Sequence, residues 1–288
     1  MPGLLERLVR TTLQRRRGFA SQHTKTSAGA VHILSGPKRS GPTLVLLHGL
    51  SASGISYASL IPHLLGKVGR VVLPDLPGHG FSERPHALDA ETLSAGLTEA
   101  LDETLDGPAF VFGNSLGGYV ATRFALARPG SVRGLVLASP AGTPSTLAEL
   151  EEVRRTFDVR GHRDALSFVD RLLARPDPRM RHLFALALRN RFADPAIARL
   201  LATVEADTGI AEHELRSLSS PTLVLWGASD RILPDRHRDY YRAHLPGHVE
   251  FETPVHFGHS PHLDDARATS KRILEFIDVV LAAERKIS

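Results

Sequence analysis

Short apolar runs that favour β-strands alternate with helix-like segments along most of this chain, and this alternation constrains the fold more than any other feature of the sequence. The runs after Gly41 are TLVLLHG (43–49), RVVLPD (70–75), AFVFGN (109–114), VRGLVLASP (132–140), PTLVLWG (221–227) and HVEFE (248–252). Strands that are apolar almost throughout are typical of a parallel sheet covered by helices on both faces. We therefore predict an α/β fold with a mostly parallel, doubly wound sheet, to which AVHILSG (30–36) adds an antiparallel strand near the edge.

The strand-like runs stop between Pro140 and Ser219, where helix-like segments take their place. These segments are TLAELEEVRRTF, RDALSFVDRLLAR, PRMRHLFALALRNRF and AIARLLATVEA. An all-helical insertion between two strands of one sheet is a cap on the core rather than a linker. The sequence therefore predicts an α/β core made of residues 26–140 and 219–288, with a helical cap domain at residues 141–218.

The N-terminal segment, residues 1–25, is basic and amphipathic. Its apolar residues fall near one helical face and its charges are almost all positive: Leu5, Leu8, Val9 and Leu13 accompany Arg7, Arg10, Arg15, Arg16, Arg17 and a single Glu6. The segment lacks the apolar stretch of a secretory signal. Three interpretations remain, namely a solvated leader helix, a surface helix that contacts anionic lipid through residues 1–20, and an Arg-rich organellar presequence that is cleaved.

Composition excludes several classes of function. The 288 residues are 42% hydrophobic, which suits a sizeable core, and the net charge of +4 comes without the clustered basic and aromatic residues that nucleic-acid binding needs. No apolar run approaches the roughly 20 residues of a membrane-spanning helix. The absence of cysteine excludes disulfides, thiolate chemistry and cysteine-ligated zinc. We expect a cytoplasmic protein, free or peripheral to a membrane, that binds a small-molecule substrate and no nucleic acid; an organellar location is the alternative. The sequence carries no signal for an oligomeric state.

The stretch VFGNSLGGYV (111–120) places one serine between glycines where a strand-like run meets a helix-like run. Ligand sites in open parallel sheets lie beyond the carboxyl ends of the strands, which is where Ser115 stands. A serine in such a strand–turn–helix occupies a strained turn, the nucleophile elbow, which exposes its hydroxyl above the sheet. Gly113 and Gly117 keep the two backbones free of Cβ clashes around it. We predict that Ser115 is a nucleophile.

A serine hydroxyl needs a histidine to accept its proton and an acid to orient that histidine. The loop after the last strand offers three histidines, and we favour His259 because Gly258 lets the loop bend inward. We expect the other two, His256 and His262, to lie at the surface.

The acid is expected after the preceding strand, where Asp230 lies a few residues beyond Trp226. Asp235 competes for this role, but its place after Pro234 suits the start of a helix. The predicted triad is therefore Ser115, Asp230 and His259 in chain order.

Several motifs together resemble those of the α/β-hydrolase fold serine hydrolases, over roughly residues 30–280. They are LLHGLSAS, DLPGHGFS, GNSLGG, LVLWGASDRILP and FGHSPH. The resemblance implies an esterase-like or lipase-like enzyme that needs neither a metal nor an organic cofactor. It also implies an oxyanion hole formed by the backbone N–H groups of Leu50 and Leu116. Asp75 and His79 have structural roles in this family, and we interpret His48 as structural because His259 already fills the role of base.

The predicted reaction is hydrolysis of an ester-like bond in a small to medium hydrophobic substrate, through an acyl-enzyme on Ser115. An acyltransferase and a carbon–carbon bond hydrolase acting on a diketone are alternatives with the same triad. A non-catalytic small-molecule receptor is the third alternative. Four phenylalanines of the cap are candidates for the substrate pocket, although we expect most of them to pack within the cap: Phe157, Phe168, Phe184 and Phe192.

Overall fold

The computed structural model describes residues 3–86 and 88–287, and the eight strands of this part of the chain form one sheet. In chain order they are β1 (Ala20–Thr26), β2 (Gly29–Ser35), β3 (Thr43–Leu47), β4 (Arg70–Pro74), β5 (Ala109–Asn114), β6 (Val132–Ala138), β7 (Thr222–Leu225) and β8 (Glu250–Glu252). The spatial order is β1-β2-β4-β3-β5-β6-β7-β8. β1 pairs antiparallel with β2 and β2 with β4, whereas all later pairs are parallel. The predicted mostly parallel α/β sheet is confirmed.

Helices cover both faces of this sheet. Those of the described residues are α1 (Leu4–Arg17), α2 (Ile61–Leu64), α3 (Ala90–Thr104), α4 (Leu116–Ala127), α5 (Leu147–Phe157), α6 (His162–Leu172), α7 (Pro178–Phe192), α8 (Pro195–Thr203), α9 (Glu212–Arg216), α10 (Asp235–His244), α11 (Pro261–Asp264) and α12 (Ala266–Ile287). Within the described residues, no helix combines the length and apolar character needed to cross a bilayer.

The sheet has a hydrophobic core on each face. In β3, Val45 and Leu47 point into one core while Leu44 and Leu46 point into the other, as the two-residue period of a strand requires. α3, α4 and the cap pack on the first face, and α1, α2 and α12 pack on the second. Full burial of one such side chain contributes about 1.5–3 kcal/mol to the free energy of unfolding. Because both faces of the strand are buried, apolar residues at successive positions all stabilise it.

The helices α5 to α9 lie between β6 and β7, in the segment for which the sequence predicts a cap. The first four coincide with the predicted helical segments. α5 begins with a capping box, in which Thr146 Oγ1 accepts the N–H of Glu149 (3.3 Å) and Glu149 Oε2 accepts the N–H of Thr146 (2.8 Å). α9 was not predicted because its five residues are too few to show a helical period.

The N-terminal segment differs from its prediction. After α1, the chain enters β1, where the sequence indicated only the end of a basic segment. β1 reads ASQHTKT and lacks apolar alternation because it is the edge strand, held by its pairing with β2. Leu13 of α1 is buried and Val9 packs against the same core, so α1 does not stand free in solvent.

Candidate active site

Ser115 lies in the turn between β5 and α4, at the carboxyl edge of the sheet. Its backbone has φ 56° and ψ −120°, and a positive φ is rare for a residue with a Cβ. Such a conformation costs on the order of 1–3 kcal/mol and persists only where the surroundings hold it. Here the Ser115 N–H donates to Ala138 O (3.1 Å), and Ser115 O accepts the N–H groups of Gly118 (2.9 Å) and Ala141 (3.0 Å). The turn has the strained geometry that the sequence predicts.

Two glycines make this turn sterically feasible. A Cβ on Gly113 would overlap the backbone of Gly117 and would lie 2.8 Å from Gly118 Cα. A Cβ on Gly117 would lie 2.6 Å from His48 O and still closer to Leu47 O. These obstacles are backbone atoms, which cannot rotate away as a side chain can. Gly117 therefore allows α4 to begin directly against the end of β3.

The structure brings the predicted base and acid into contact. Asp230 follows β7 and His259 follows β8, so both stand at the same edge of the sheet as Ser115. His259 Nδ1 lies 2.8 Å from Asp230 Oδ2, and the side chains are only 4% and 2% exposed. The other carboxylate oxygen accepts the N–H groups of Ile232 (2.8 Å) and Leu233 (3.2 Å). With its Nδ1–H held by the carboxylate, the imidazole presents Nε2 as the basic atom.

The charge state of Asp230 suits this role. Burial would raise the pKa of Asp230, but the facing His259 and the two backbone donors outweigh it and hold the pKa below its ordinary value. The carboxylate therefore stays ionised beside the imidazole. Asp235 is exposed in the first turn of α10 and pairs with Arg238 at 2.9 Å, so the geometry favours Asp230 as the partner of His259.

Ser115 and His259 line the same apolar cavity, whose volume is about 370 Å³. Their exposed fractions are 8% and 3%, so each reaches the cavity through a small part of its surface. Ser115 Oγ makes no hydrogen bond to another described residue. Contacts between a nucleophile and its base often tighten only once substrate is bound. The shared cavity is the place where this contact can form.

The two residues predicted for the oxyanion hole lie on different elements next to Ser115. Leu116 is the first residue of α4, so its N–H has no partner within the helix. Leu50 follows β3 in a loop that Gly49 brings close, since a Cβ on Gly49 would lie 3.3 Å from Ser115 Cβ. Neither the Leu50 N–H nor the Leu116 N–H donates to another described residue. Both donors are free for an oxyanion.

Asn114, the last residue of β5, joins this strand to the loop that carries His259, and the sequence did not single it out. Its Nδ2 donates to Ala138 O (2.9 Å) and to His259 O (2.8 Å), and its Oδ1 accepts the hydroxyl of Ser260 (3.0 Å). We interpret Asn114 as a positioning residue that sets where His259 stands. Its signal in the sequence is a polar amide at the end of an otherwise apolar run.

The histidine loop is also tied to the cap. Asp264 accepts the N–H groups of Gly258 (2.7 Å) and Ala174 (2.8 Å), and the His259 N–H donates to Leu172 O (2.9 Å). Gly258 is required at this contact because a Cβ there would lie 2.6 Å from Ala174 N. The cap therefore helps to fix the loop that carries His259, which the sequence did not indicate.

The remaining histidines near the site have structural environments. His48 Nε2 accepts the N–H of Leu76 (3.0 Å), and burial lowers the pKa of His48 to about 3, so the ring stays neutral as a bridge between loops. His256 is exposed, as predicted. The prediction that His262 lies at the surface is wrong, since its ring is buried 4.6 Å from that of Tyr57 and burial lowers its pKa to about 3. α11 turns inward there, which the local sequence does not reveal.

Asp75 is a structural residue, in agreement with the sequence prediction. Its buried carboxylate accepts the N–H groups of Gly54 (2.6 Å) and Phe81 (2.8 Å) and lies 2.9 Å from His32 Nδ1. His79 is buried beside this group, and its Nδ1 contacts Pro77 O at 3.0 Å. These bonds hold the loops behind the site together.

Two cavities meet at Ser115. The second, of about 1140 Å³, lies on the side of α3 and α5, and Ser115 and Phe157 line both. Phe157, Phe168 and Phe184 line the smaller cavity, and Phe157 and Phe168 also pack against each other within the cap, with ring centroids 5.4 Å apart. Phe192 packs behind them, with ring centroids 5.9 Å from Phe157 and 4.9 Å from Phe168.

Comparison with known proteins agrees with this architecture. Residues 42–266 match the family model of the alpha/beta hydrolase fold. The chain is 31% identical over 260 residues to the polyketide synthase ThaQ of Burkholderia thailandensis, a match that covers 84% of this chain and only 12% of that protein. It is 32% identical over 237 residues to the pimeloyl-[acyl-carrier protein] methyl ester esterase of Nitrosomonas europaea, covering 77% of this chain and 90% of the esterase.

A solved structure with the same fold is that of a membrane phospholipase A described as a bacterial virulence factor. It superposes with a TM-score of 0.83 at 26% identity, over 96% of this chain and 91% of that one.

Proposed function

Because the chain belongs to the α/β-hydrolase fold family and is a hydrolase with esterase relatives, we propose that it cleaves carboxylic esters of apolar acyl groups through a triad of Ser115, His259 and Asp230. The observation that carries the proposal is the shared apolar cavity. A serine in a strained turn and a histidine paired with a buried carboxylate line this cavity together.

In the proposed reaction, His259 Nε2 takes the hydroxyl proton of Ser115 while Oγ attacks the ester carbonyl carbon. The carbonyl oxygen becomes negative and accepts the N–H groups of Leu50 and Leu116. Cleavage of the C–O bond releases the alcohol with the proton from His259 and leaves the serine acylated. Water, deprotonated by His259, then attacks the acyl carbon. The bond between that carbon and Ser115 Oγ breaks, the carboxylic acid is released, and His259 returns the proton to Ser115 Oγ. Asp230 stays ionised and stabilises the imidazolium at each stage.

The lining of the smaller cavity supports an apolar acyl group. Its walls include Phe168, Leu172 and Phe184, and the buried His262 that borders it is kept neutral by its lowered pKa. Sites for small molecules occupy about 300–1,000 Å³, so a cavity near the lower limit suits a short to medium acyl chain. Two similar proteins, named as a methyl ester esterase and a phospholipase A, carry names of enzymes that cleave esters, which supports the proposed reaction.

The test is labelling by a fluorophosphonate, which reacts with activated serines, together with turnover of short nitrophenyl esters. We expect the wild-type chain to react in both assays and Ser115→Ala to react in neither. Ser56→Ala is the matched control, because Ser56 lines the same cavity but lies outside the triad. Equal labelling of Ser115→Ala and the control would contradict the proposed nucleophile.

A further inference from the structure

Six of the nine large apolar side chains that are strongly exposed in the described part of the chain lie on two helices, and we call them the mouth patch. They are Leu4, Leu5 and Leu8 on α1 and Met180, Leu183 and Leu186 on α7, with exposed fractions from 42% to 75%. Leu5, Met180 and Leu183 also line the smaller cavity that contains Ser115. The cavity therefore opens between α1 and α7, and its apolar lining continues onto the surface. Exposed apolar patches of this kind mark interaction sites.

α1 is held beside α7 by its inner face. Glu6 accepts the hydroxyl of Ser53 (2.8 Å) and pairs with Arg191 of α7 (3.0 Å), while Leu13 is buried in the core. The outer face carries Leu4 in the first turn and, three turns later, Arg15. α1 thus presents leucines to solvent at the cavity mouth and exposed arginines at its far end.

Positive charge is concentrated on the same two helices. α1 and α7 together contain nine arginines and one glutamate, a net charge of +8, whereas the whole chain is +4 and the rest of it is therefore −4. Arg191 pairs with Glu6 and Arg181 pairs with Asp170, which leaves an excess of positive charge around the mouth patch. An apolar surface bordered by arginines complements a bilayer with anionic headgroups.

We propose that the mouth patch docks on an anionic lipid surface, so that an ester substrate enters the cavity directly from the lipid phase; the second half of this statement rests on the proposed function. A second copy of the chain fits less well, because a twofold contact would place the same positive helices against each other. An acidic protein fits less well, because it would need arginines at the centre of the contact, where leucine and methionine lie.

The docking test uses the 288-residue chain with Ser115→Ala, so that lipid turnover does not complicate the measurement. Co-sedimentation is compared between phosphatidylcholine vesicles with and without phosphatidylglycerol. We expect binding to the anionic vesicles that weakens with added salt. The triple substitution Leu4→Gln, Leu8→Gln and Leu186→Gln is expected to lower the partition coefficient by at least about tenfold, because the apolar anchor is lost.

The matched control replaces three strongly exposed apolar side chains elsewhere, Leu147→Gln, Val255→Gln and Val279→Gln, and should bind as the parent does. Equal binding by both triple variants, or equal binding to neutral vesicles, would overturn the proposal. A dimer in solution that only the patch substitutions dissociate, without vesicle binding, would assign the patch to a second copy. Binding of an acidic protein to the mouth patch, without binding to vesicles, would likewise overturn the proposal.

An activity measurement separates this proposal from the proposed function. With Ser115 restored, the variant with the three substitutions in the mouth patch should hydrolyse a water-soluble nitrophenyl ester at close to the wild-type rate. None of the three substituted residues lines either of the two cavities at Ser115. Vesicle binding without any ester turnover would support docking and refute the esterase. Ester turnover without vesicle binding would support the esterase and refute docking.

Discussion

Replacement of Gly117 by alanine tests whether the close approach of β3 and α4 positions the nucleophile. The added Cβ would lie 2.6 Å from His48 O and still closer to Leu47 O. Non-bonded atoms pack at about 3.5 Å, so the end of β3 and the start of α4 must separate by at least about 1 Å. Both obstacles belong to the backbone at the end of β3, a strand in the middle of the sheet, and the displacement therefore reaches Ser115 and the loop that carries Leu50.

A shift of this size has two effects that can be measured separately. Overpacking of a rigid contact lowers the free energy of unfolding by about 1–3 kcal/mol. Misplacement of a catalytic group by about 1 Å lowers kcat by about a hundredfold. We expect KM for a short nitrophenyl ester to change much less than kcat, because Gly117 lines neither cavity.

The assay combines ester hydrolysis, the rate of fluorophosphonate labelling and thermal unfolding. Gly107→Ala is the matched control, because no described atom lies within 4 Å of a Cβ placed there and its φ is not in the left-handed region. This control should behave as the wild type in all three measurements. If Gly117→Ala had the same kcat and melting temperature as Gly107→Ala, the steric argument for the nucleophile elbow would be refuted.

Asn114→Ala removes three hydrogen bonds, two of which join β5 to the histidine loop, so kcat should fall while KM changes little; an unchanged kcat in a folded variant would exclude a positioning role. Phe157→Ala enlarges the junction of the two cavities and should shift kcat/KM toward longer acyl chains in a series of nitrophenyl esters, whereas an unchanged preference would show that Phe157 does not limit the acyl site. Burial lowers the pKa of His262 from 6.5 to about 3. Below pH 6.5 the unfolded state therefore takes up a proton that the folded state does not, and the free energy of unfolding decreases as the pH falls. This loss is about 2 kcal/mol between pH 7 and pH 5. In denaturant titrations, the free energy of unfolding of His262→Asn should therefore decrease by correspondingly less than that of the wild type over this interval. Equal decreases would contradict the lowered pKa of His262.

The strands and the elements of the site that depend on local sequence were predictable. A strand buried on both faces must be apolar at nearly every position, so β5 coincides with the run predicted for it at 109–114. The glycines around Ser115 follow from the turn itself, since a Cβ at either position would strike backbone atoms. Asp230 and His259 could be predicted as partners of Ser115 because parallel strands bring their carboxyl ends to one edge of the sheet.

Elements without a local signal were missed for physical reasons. β1 is a polar edge strand stabilised by pairing with β2, so no apolar period marks it. The sequence did not place α1 beside α7 because the contact joins residues far apart in the chain: Glu6 and Arg191 are separated by 185 positions. The continuity of the mouth patch with the active-site cavity depends on that contact.

The sequence by itself determined the class of fold, the identity of the candidate nucleophile and the partners expected for it. The tertiary structure alone decided that Asn114 holds the backbone of His259, 145 positions away, and that His262 is buried. A local pattern reports the period and conformation of one segment. Burial and hydrogen-bond partners depend on which other elements pack against that segment, and they are therefore fixed only when the whole chain has folded.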